Sequence, residues 1–101
     1  MKKEKKIKSS KQMERHLKGV ANHWRIDILL LIDRRKVMIL EEIAEELKMN
    51  IKTASEHTHR LARAGLINKR YQGRQVEHTL SPYGHQFVKF LRHLQKTFQY
   101  S

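Results

Sequence analysis

A mainly α-helical fold of the α+β class is predicted by the order of patterns between residues 40 and 80. Residues 40–48 have the apolar spacing of a short amphipathic helix, and residues 51–64 follow as a polar helix with few apolar positions. Two alternating segments, 66–71 and 75–80, are then joined by a turn that contains glycine. We therefore predict a winged helix-turn-helix with about five helices and a two-stranded β-wing, a fold that places one helix in a DNA groove.

The N-terminal half supplies two of these helices. Residues 1–12 lack an apolar period and carry six lysines, so we expect a disordered basic tail, followed by one DNA-binding and dimerisation domain over residues 13–101. Apolar residues recur at helical spacing from Met13, and Asn22-His23 is interpreted as a break before a second helix at about 24–34. Val37-Met38-Ile39 is β-like and is expected to pair with the wing as an edge strand.

Cap signals position the last helices. Asn50 precedes the polar helix and is expected to cap its first turn. Pro82 follows Ser81 at a favourable first helical position, so the last helix should begin there.

The charge is large and unevenly distributed. The net charge is +12, residues 13–50 are neutral, and the excess lies mainly in the tail and in residues 51–80. Such segregation predicts a surface for a polyanion, although a general solubility charge is the alternative.

Other partner classes are disfavoured. The chain has no cysteine, which excludes disulfides and thiolate metal sites. Its longest apolar run, Ile28 to Ile32, is far shorter than the roughly 20 residues of a membrane span. The basic N-terminus leads into polar residues rather than a signal-peptide core, so we expect a cytoplasmic, nucleoid-associated protein without a membrane partner.

The polar helix and the wing supply the expected contacts to double-stranded DNA. Mixed donors and acceptors on one face suit base edges, whereas a sequence-neutral, chromatin-like binder would need little but lysine and arginine there. A winged-helix protein-interaction module is the other alternative. The candidate contacts are Asn50, Lys52, Thr53, Ser55, Glu56, His59, Arg60, Arg70, Gln72 and Arg74.

A heptad-like apolar seam on the last helix predicts a homodimer, because a small monomer would leave this apolar surface exposed to solvent. The alternative is that the seam completes the core of its own chain. The candidate dimer residues are Met13, Leu17, Phe87, Leu91, Leu94 and Phe98.

Neither a metal nor catalysis is predicted. His57 and His59 are two residues apart and should point to different faces of a helix, with His59 toward DNA and His57 partly buried. No acid or thiol completes a metal set around His16 and His23. The carboxylates of residues 41–46 lie on a solvated helix face without a nucleophile, so we expect neither an enzyme nor a bound cofactor.

The chain resembles the ArsR/SmtB family of winged-helix repressors. The segments that carry the resemblance are Leu17 to Ile26, Glu42 to Leu47, Thr53 to Ile67 and Arg70 to Val76. These motifs are specific for a winged helix and less specific for that family over its MarR-like relatives.

The resemblance implies a homodimer joined through its first and last helices, acting as a transcriptional repressor on a pseudo-palindromic operator. The chain departs from the metal-sensing members of the family. Ile39-Leu40-Glu41 stands where they carry two cysteines, and no aspartate follows Asp33 to build the zinc-type site. Metal sensing by these routes is not expected, and the effector is unknown.

Overall fold

A computed structural model of the protein describes residues 7–97 as five helices and a three-stranded antiparallel sheet, which confirms the predicted fold class. No helix in this range is long and apolar enough to cross a membrane. The elements are α1 (Ser10–Val20), α2 (His23–Arg35), β1 (Met38–Ile39), α3 (Leu40–Glu46), α4 (Ile51–Arg63), β2 (Ile67–Gln72), β3 (Gln75–Leu80) and α5 (Pro82–Thr97).

The sheet has the order β1-β3-β2, so β3 is its central strand. β2 and β3 form the wing, in register from Ile67 opposite Leu80 to Gln72 opposite Gln75. Met38 pairs with His78, which confirms that the β-like segment before α3 is an edge strand of the wing sheet. The loop between β2 and β3 has two residues, and its first, Gly73, has φ 60°, a value that glycine adopts without strain.

α1 begins three residues earlier than expected. The tail was predicted to extend through residue 12, but Ser9 caps a helix that starts at Ser10. The Ser9 hydroxyl accepts from the Gln12 N–H at 3.2 Å, and the Gln12 side chain accepts from the Ser9 N–H at 2.8 Å. This capping box stabilises a polar first turn that has no apolar period, which is why the periodicity placed the start too late. Residues 1–6 of the predicted tail lie outside the described residues.

Asn22 is the N-cap of α2 rather than a simple break. Its side-chain oxygen accepts from the N–H groups of Trp24 at 2.9 Å and Arg25 at 3.2 Å. The Asn22 cap therefore sets where α2 starts and holds Arg25 in its first turn.

The core forms where α2 passes beneath the other helices and the sheet. Ile28, Leu29, Leu31 and Ile32 are essentially inaccessible to solvent and contact side chains from α4, α5 and the strands. This packing holds α4 on one side of the domain with its polar face outward.

Ser81 links the end of α4 to the start of α5. Its hydroxyl donates to the Gly65 carbonyl at 2.6 Å and accepts from the Gly84 N–H at 3.0 Å. Gly84 lies so close to the Leu66 carbonyl that a side-chain carbon there would overlap it. α5 therefore packs directly on the segment that joins α4 to the wing.

Candidate DNA interface

α4 presents a polar face to solvent. Its inward stripe consists of Ala54, Thr58 and Leu61, all fully buried. Thr53, expected to be exposed, is half-buried at the edge of this stripe. The remaining candidates of this helix are exposed, namely Lys52, Ser55, Glu56, His59 and Arg60.

Asn50 caps α4 as predicted. Its side-chain oxygen accepts from the Lys52 N–H at 2.7 Å. The acceptor of this amide is therefore used within the protein, whereas its amino group has no hydrogen-bond partner among residues 7–97. A cap of this kind stabilises a helix by about 1 kcal/mol.

The wing carries the other three candidates on exposed positions. Arg70 and Gln72 lie on the same face of β2, and Arg74 follows Gly73 in the turn. With its amide oxygen facing Arg70, Gln72 accepts from Nε at 2.6 Å and from Nη2 at 3.0 Å. Tyr71, which the sequence reasoning did not select, is also highly exposed on the wing.

A lysine connects the wing to α4 and was missed from the sequence. Lys69 donates from Nζ to the Thr58 hydroxyl at 2.9 Å, and this hydroxyl donates to the Ser55 carbonyl at 3.1 Å. Burial lowers the pKa of Lys69. The link joins β2 to the buried side of α4, so it fixes the wing relative to the polar face.

A second connection joins the start of α2 to α4. Arg25 is only 9% exposed; its Nε donates to the Gly19 carbonyl at 2.6 Å and its Nη1 donates to His57 Nδ1 at 3.2 Å. Since arginine only donates, His57 is neutral in this contact. Burial, and then the charge of Arg25, lower the pKa of His57. His57 is half-buried as expected, and its partner comes from another helix.

Two other histidines make buried hydrogen bonds to backbone carbonyls. His16 is buried, and its Nδ1 donates to the Ala64 carbonyl, while His78 Nδ1 donates to the Met38 carbonyl at 3.1 Å. Within residues 7–97, no group of three or more histidine, aspartate or glutamate side chains is arranged to hold a metal ion.

The predicted dimer seam requires a correction at Leu91. Its side chain is 8% exposed and belongs to the core of its own chain, because the phase of α5 turns it inward beside Val88. Phe87 is half-buried against the core, and Phe98 lies outside the described residues.

The outward apolar face of the α1–α5 pair has a different membership. Phe90, which the prediction omitted, and Tyr83, which belonged to the predicted heptad-like seam but not to the candidate dimer residues, are about half exposed. The exposed members of this face, called the α1–α5 face below, are Met13, Leu17, Tyr83, Phe90 and Leu94. Part of it forms a cleft of about 360 Å³.

A match to a family model supports the resemblance that the motifs carry. The MarR family model matches residues 22–72, just over half of the chain and the whole of the segment from the α2 cap to the wing. The chain belongs to the MarR family. Among curated proteins, none matches the chain significantly.

Solved structures of regulators resemble this member of the MarR family over most of its length. HlyU from Vibrio cholerae N16961 is 28% identical, with a TM-score of 0.77 over 88% of this chain and 97% of HlyU. The homodimeric winged helix-turn-helix DNA-binding domain of Mb0332 from Mycobacterium bovis, a possible ArsR-family transcriptional regulator, is 22% identical, with a TM-score of 0.79 over 94% of both chains. The transcriptional repressor PagR of Bacillus anthracis is 22% identical, with a TM-score of 0.71 over 80% of this chain and 93% of PagR.

Family and structure together identify the type of protein. It is a winged-helix, ArsR/MarR-like regulator of transcription that binds DNA, and neither its family nor its fold is that of an enzyme.

Proposed function

We propose that the protein is a homodimeric transcriptional repressor that recognises a specific pseudo-palindromic site in double-stranded DNA. α4 enters the major groove, and the wing, residues 70–75, contacts the backbone or the minor groove. Such a repressor acts at the DNA of the cytoplasm and nucleoid. The observation that carries the proposal is the exposed polar face of α4 beside a basic wing.

The chemistry of the α4 face favours sequence reading over neutral binding. Glu56 is exposed near the middle of the face, where a carboxylate repels phosphates but accepts from the amino group of cytosine. Ser55 and His59 add groups that donate and accept. A sequence-neutral binder gains nothing from a carboxylate in this place.

The α1–α5 face supports the dimer. Its five apolar side chains are uncovered in one chain, and a two-fold pair is the commonest way to bury such a surface. Mb0332 is described as homodimeric and has the same fold. A two-fold axis would place the two α4 helices about 34–36 Å apart, one turn of DNA, and thus predicts two half-sites. PagR is described as a transcriptional repressor, which supports repression rather than activation.

The first test is the selection of binding sites from random duplexes, followed by affinity measurements at several salt concentrations. We expect enrichment of a pseudo-palindrome and a log–log salt slope of about −6 to −9, because the basic tail, α4 and wing neutralise phosphates on both subunits. Equal binding to random duplex would favour the sequence-neutral alternative. A slope near zero would exclude the DNA-backbone contacts.

Two substitutions then separate base reading from backbone binding. Glu56→Ala should reduce discrimination at one base pair by about 1–3 kcal/mol and leave the affinity for random duplex no weaker. Arg74→Ala should weaken all sequences equally and flatten the salt slope by about one unit per contact. Both residues are exposed, so neither change should unfold the domain. The same uniform loss from both variants would contradict this division of roles.

A further inference from the structure

A basic groove of about 690 Å³ lies between α1 and α4, beside the start of α2. Gly19 packs closely against Ala64 at this crossing, since a side-chain carbon at Gly19 would overlap Cβ of Ala64. Five cations line the groove with one carboxylate, Glu56. These cations are Arg15 and Lys18 of α1, Arg25 of α2, and Arg60 and Arg63 of α4.

Most of this positive charge is not neutralised by ion pairs within residues 7–97. Among residues 7–97, the carboxylates that form ion pairs do so with Lys18, Arg35 and Arg92. The four arginines of the groove therefore have no carboxylate partner within this part of the chain. Clustered like charges repel one another, and an anion between them removes that repulsion.

Arg25 is the most informative member of the groove. It lies in the first turn of α2, where the helix dipole opposes a cation, and only 9% of its surface is exposed. Nε and Nη1 have partners, whereas Nη2 has no hydrogen-bond partner among residues 7–97. Burial, and then the charge of Arg60, lower the pKa of Arg25. Nη2 is therefore available to an anion, and an anion bound there would offset the repulsion between Arg25 and Arg60.

A structural role explains only part of the cluster. Arg63 lies in the last turn of α4, and the Arg15 guanidinium approaches Gly65 just beyond it. Cations at the C-terminal end of a helix are favourable, so the position of these two arginines is not by itself evidence for a ligand. The same argument fails for Arg25, because it lies at the opposite end of its helix.

We propose that the α1–α4 groove is a binding site for a phosphate group. Arginine fits this ligand because a planar guanidinium can donate two parallel hydrogen bonds to phosphate oxygens, as those of Arg15, Arg60 and Arg63 could do. Arg25 can add a contact from Nη2 alone. There are two possible sources of the phosphate. One is the backbone of a DNA strand beside the major groove, which the C-terminal half of α4 would reach. The other is a small phosphate-bearing ligand. The DNA source rests on the proposed function, whereas the small-ligand source does not.

The test uses two double variants with the same change in charge. Arg15→Gln/Arg63→Gln removes two exposed cations of the groove, and Arg34→Gln/Lys89→Gln removes two exposed cations elsewhere. Arg25 is left in place because its substitution would disturb α2. For each protein, one arm measures the salt slope of binding to the selected duplex, and the other measures pyrophosphate binding by calorimetry at low salt.

A DNA phosphate in the groove predicts a flatter salt slope in the groove variant and an unchanged slope in the control. The expected change is about one unit for each arginine–phosphate pair that the substitutions remove. A small-ligand site predicts saturable pyrophosphate binding by the wild type and the control, and none by the groove variant. Either result supports the phosphate site, and the arm that responds identifies the source.

The phosphate site would be overturned if the groove and control variants had the same salt slope for the duplex and also the same pyrophosphate binding. Wild-type protein that binds no duplex would instead overturn the proposed function, and the pyrophosphate arm would still decide the groove.

Discussion

At the scale of single residues, several side chains of the interface depend on contacts behind it. Lys69 of the wing donates a hydrogen bond to Thr58, and Arg25 of α2 donates one to His57. These two hydrogen bonds support the exposed face of α4 from its inner edges. Both links consist of a cation and a neutral acceptor. The link from Arg25 therefore requires that His57 stay unprotonated at Nδ1, and the link from Lys69 requires that the Thr58 hydroxyl keep its orientation.

His57 makes one of these links sensitive to pH. Its pKa is lowered in the folded protein by burial and then by Arg25, so the charged form is disfavoured there. As the pH falls below about 6.5, the unfolded chain takes up a proton more readily than the folded chain. The stabilisation from neutral His57 is thus complete above that pH, and it declines as the pH falls toward the lower, folded pKa. Burial lowers the pKa of His78 as well, so His78 adds to the same decline.

We predict that His57→Gln makes the loss of stability on acidification shallower. Glutamine keeps an acceptor for Arg25 and cannot be protonated in this range. Urea unfolding from neutral to mildly acidic pH measures the effect as the slope of the unfolding free energy against pH. The matched control is His85→Gln, at an exposed position of α5, which should keep the wild-type slope. A His57→Gln slope equal to that of the wild type would show that His57 does not contribute.

At the scale of elements, the start of α4 is the point where local stability and DNA contact meet. We predict that Asn50→Ala lowers the free energy of unfolding by about 1 kcal/mol, because the Lys52 N–H loses its acceptor. Asn50→Ser should restore the cap and most of this stability. Denaturant unfolding of the three proteins measures both changes, and an alanine variant as stable as the wild type would contradict the capping role.

The same pair of variants separates the two roles of Asn50 in DNA binding. If the side chain acts only as a cap, the serine variant should bind the selected duplex as tightly as the wild type. If its free amino group also contacts DNA, the serine variant should keep its stability and lose affinity.

The elements that sequence could predict are those with local signals. The Asn50 cap, the glycine turn of the wing and Pro82 after Ser81 each operate within a few residues, and all three appear in the structure. The links through Lys69 and Arg25 join residues 11 and 32 positions apart. Such contacts depend on how the elements pack and have no local pattern.

For α5, the sequence predicted the helix but not which of its apolar residues are buried within the chain. Its apolar residues were assigned to one seam, but the helix has an inner face with Val88 and Leu91 and an outer face with Phe90 and Leu94. Both faces are apolar, and periodicity alone does not reveal which neighbour covers each. The capping box at Ser9, by contrast, is a local signal, because serine is followed three residues later by glutamine.

At the scale of the whole molecule, a thin core and an uncovered apolar face point to association. A chain of 101 residues buries only about 65% of its unfolded surface, so a partner that covers the α1–α5 face would add substantially to stability. The position of the face also matters for the proposed DNA binding, because a two-fold axis through α1 and α5 would fix the spacing of the two α4 helices.

We predict that Leu17→Glu abolishes dimerisation and leaves the fold of each chain intact. Leu17 is 51% exposed in a single chain, so a glutamate there stays hydrated in the monomer. In a dimer it would bury an unpaired carboxylate, at a cost of several kcal/mol. Sedimentation equilibrium should show a wild-type dimer and a variant monomer at micromolar concentration, with loss of affinity for the selected site although no DNA-facing residue has changed.

Two further substitutions make this prediction specific to the α1–α5 face. Val37→Glu places the same charge on an apolar residue of similar exposure just before β1, away from that face, and should remain dimeric. Leu91→Glu places it in the core and should unfold the chain, because Leu91 packs within its own subunit. A wild-type monomer at micromolar concentration would contradict the dimer, since the α1–α5 face would then stay in solvent and the two half-sites would lose their physical basis.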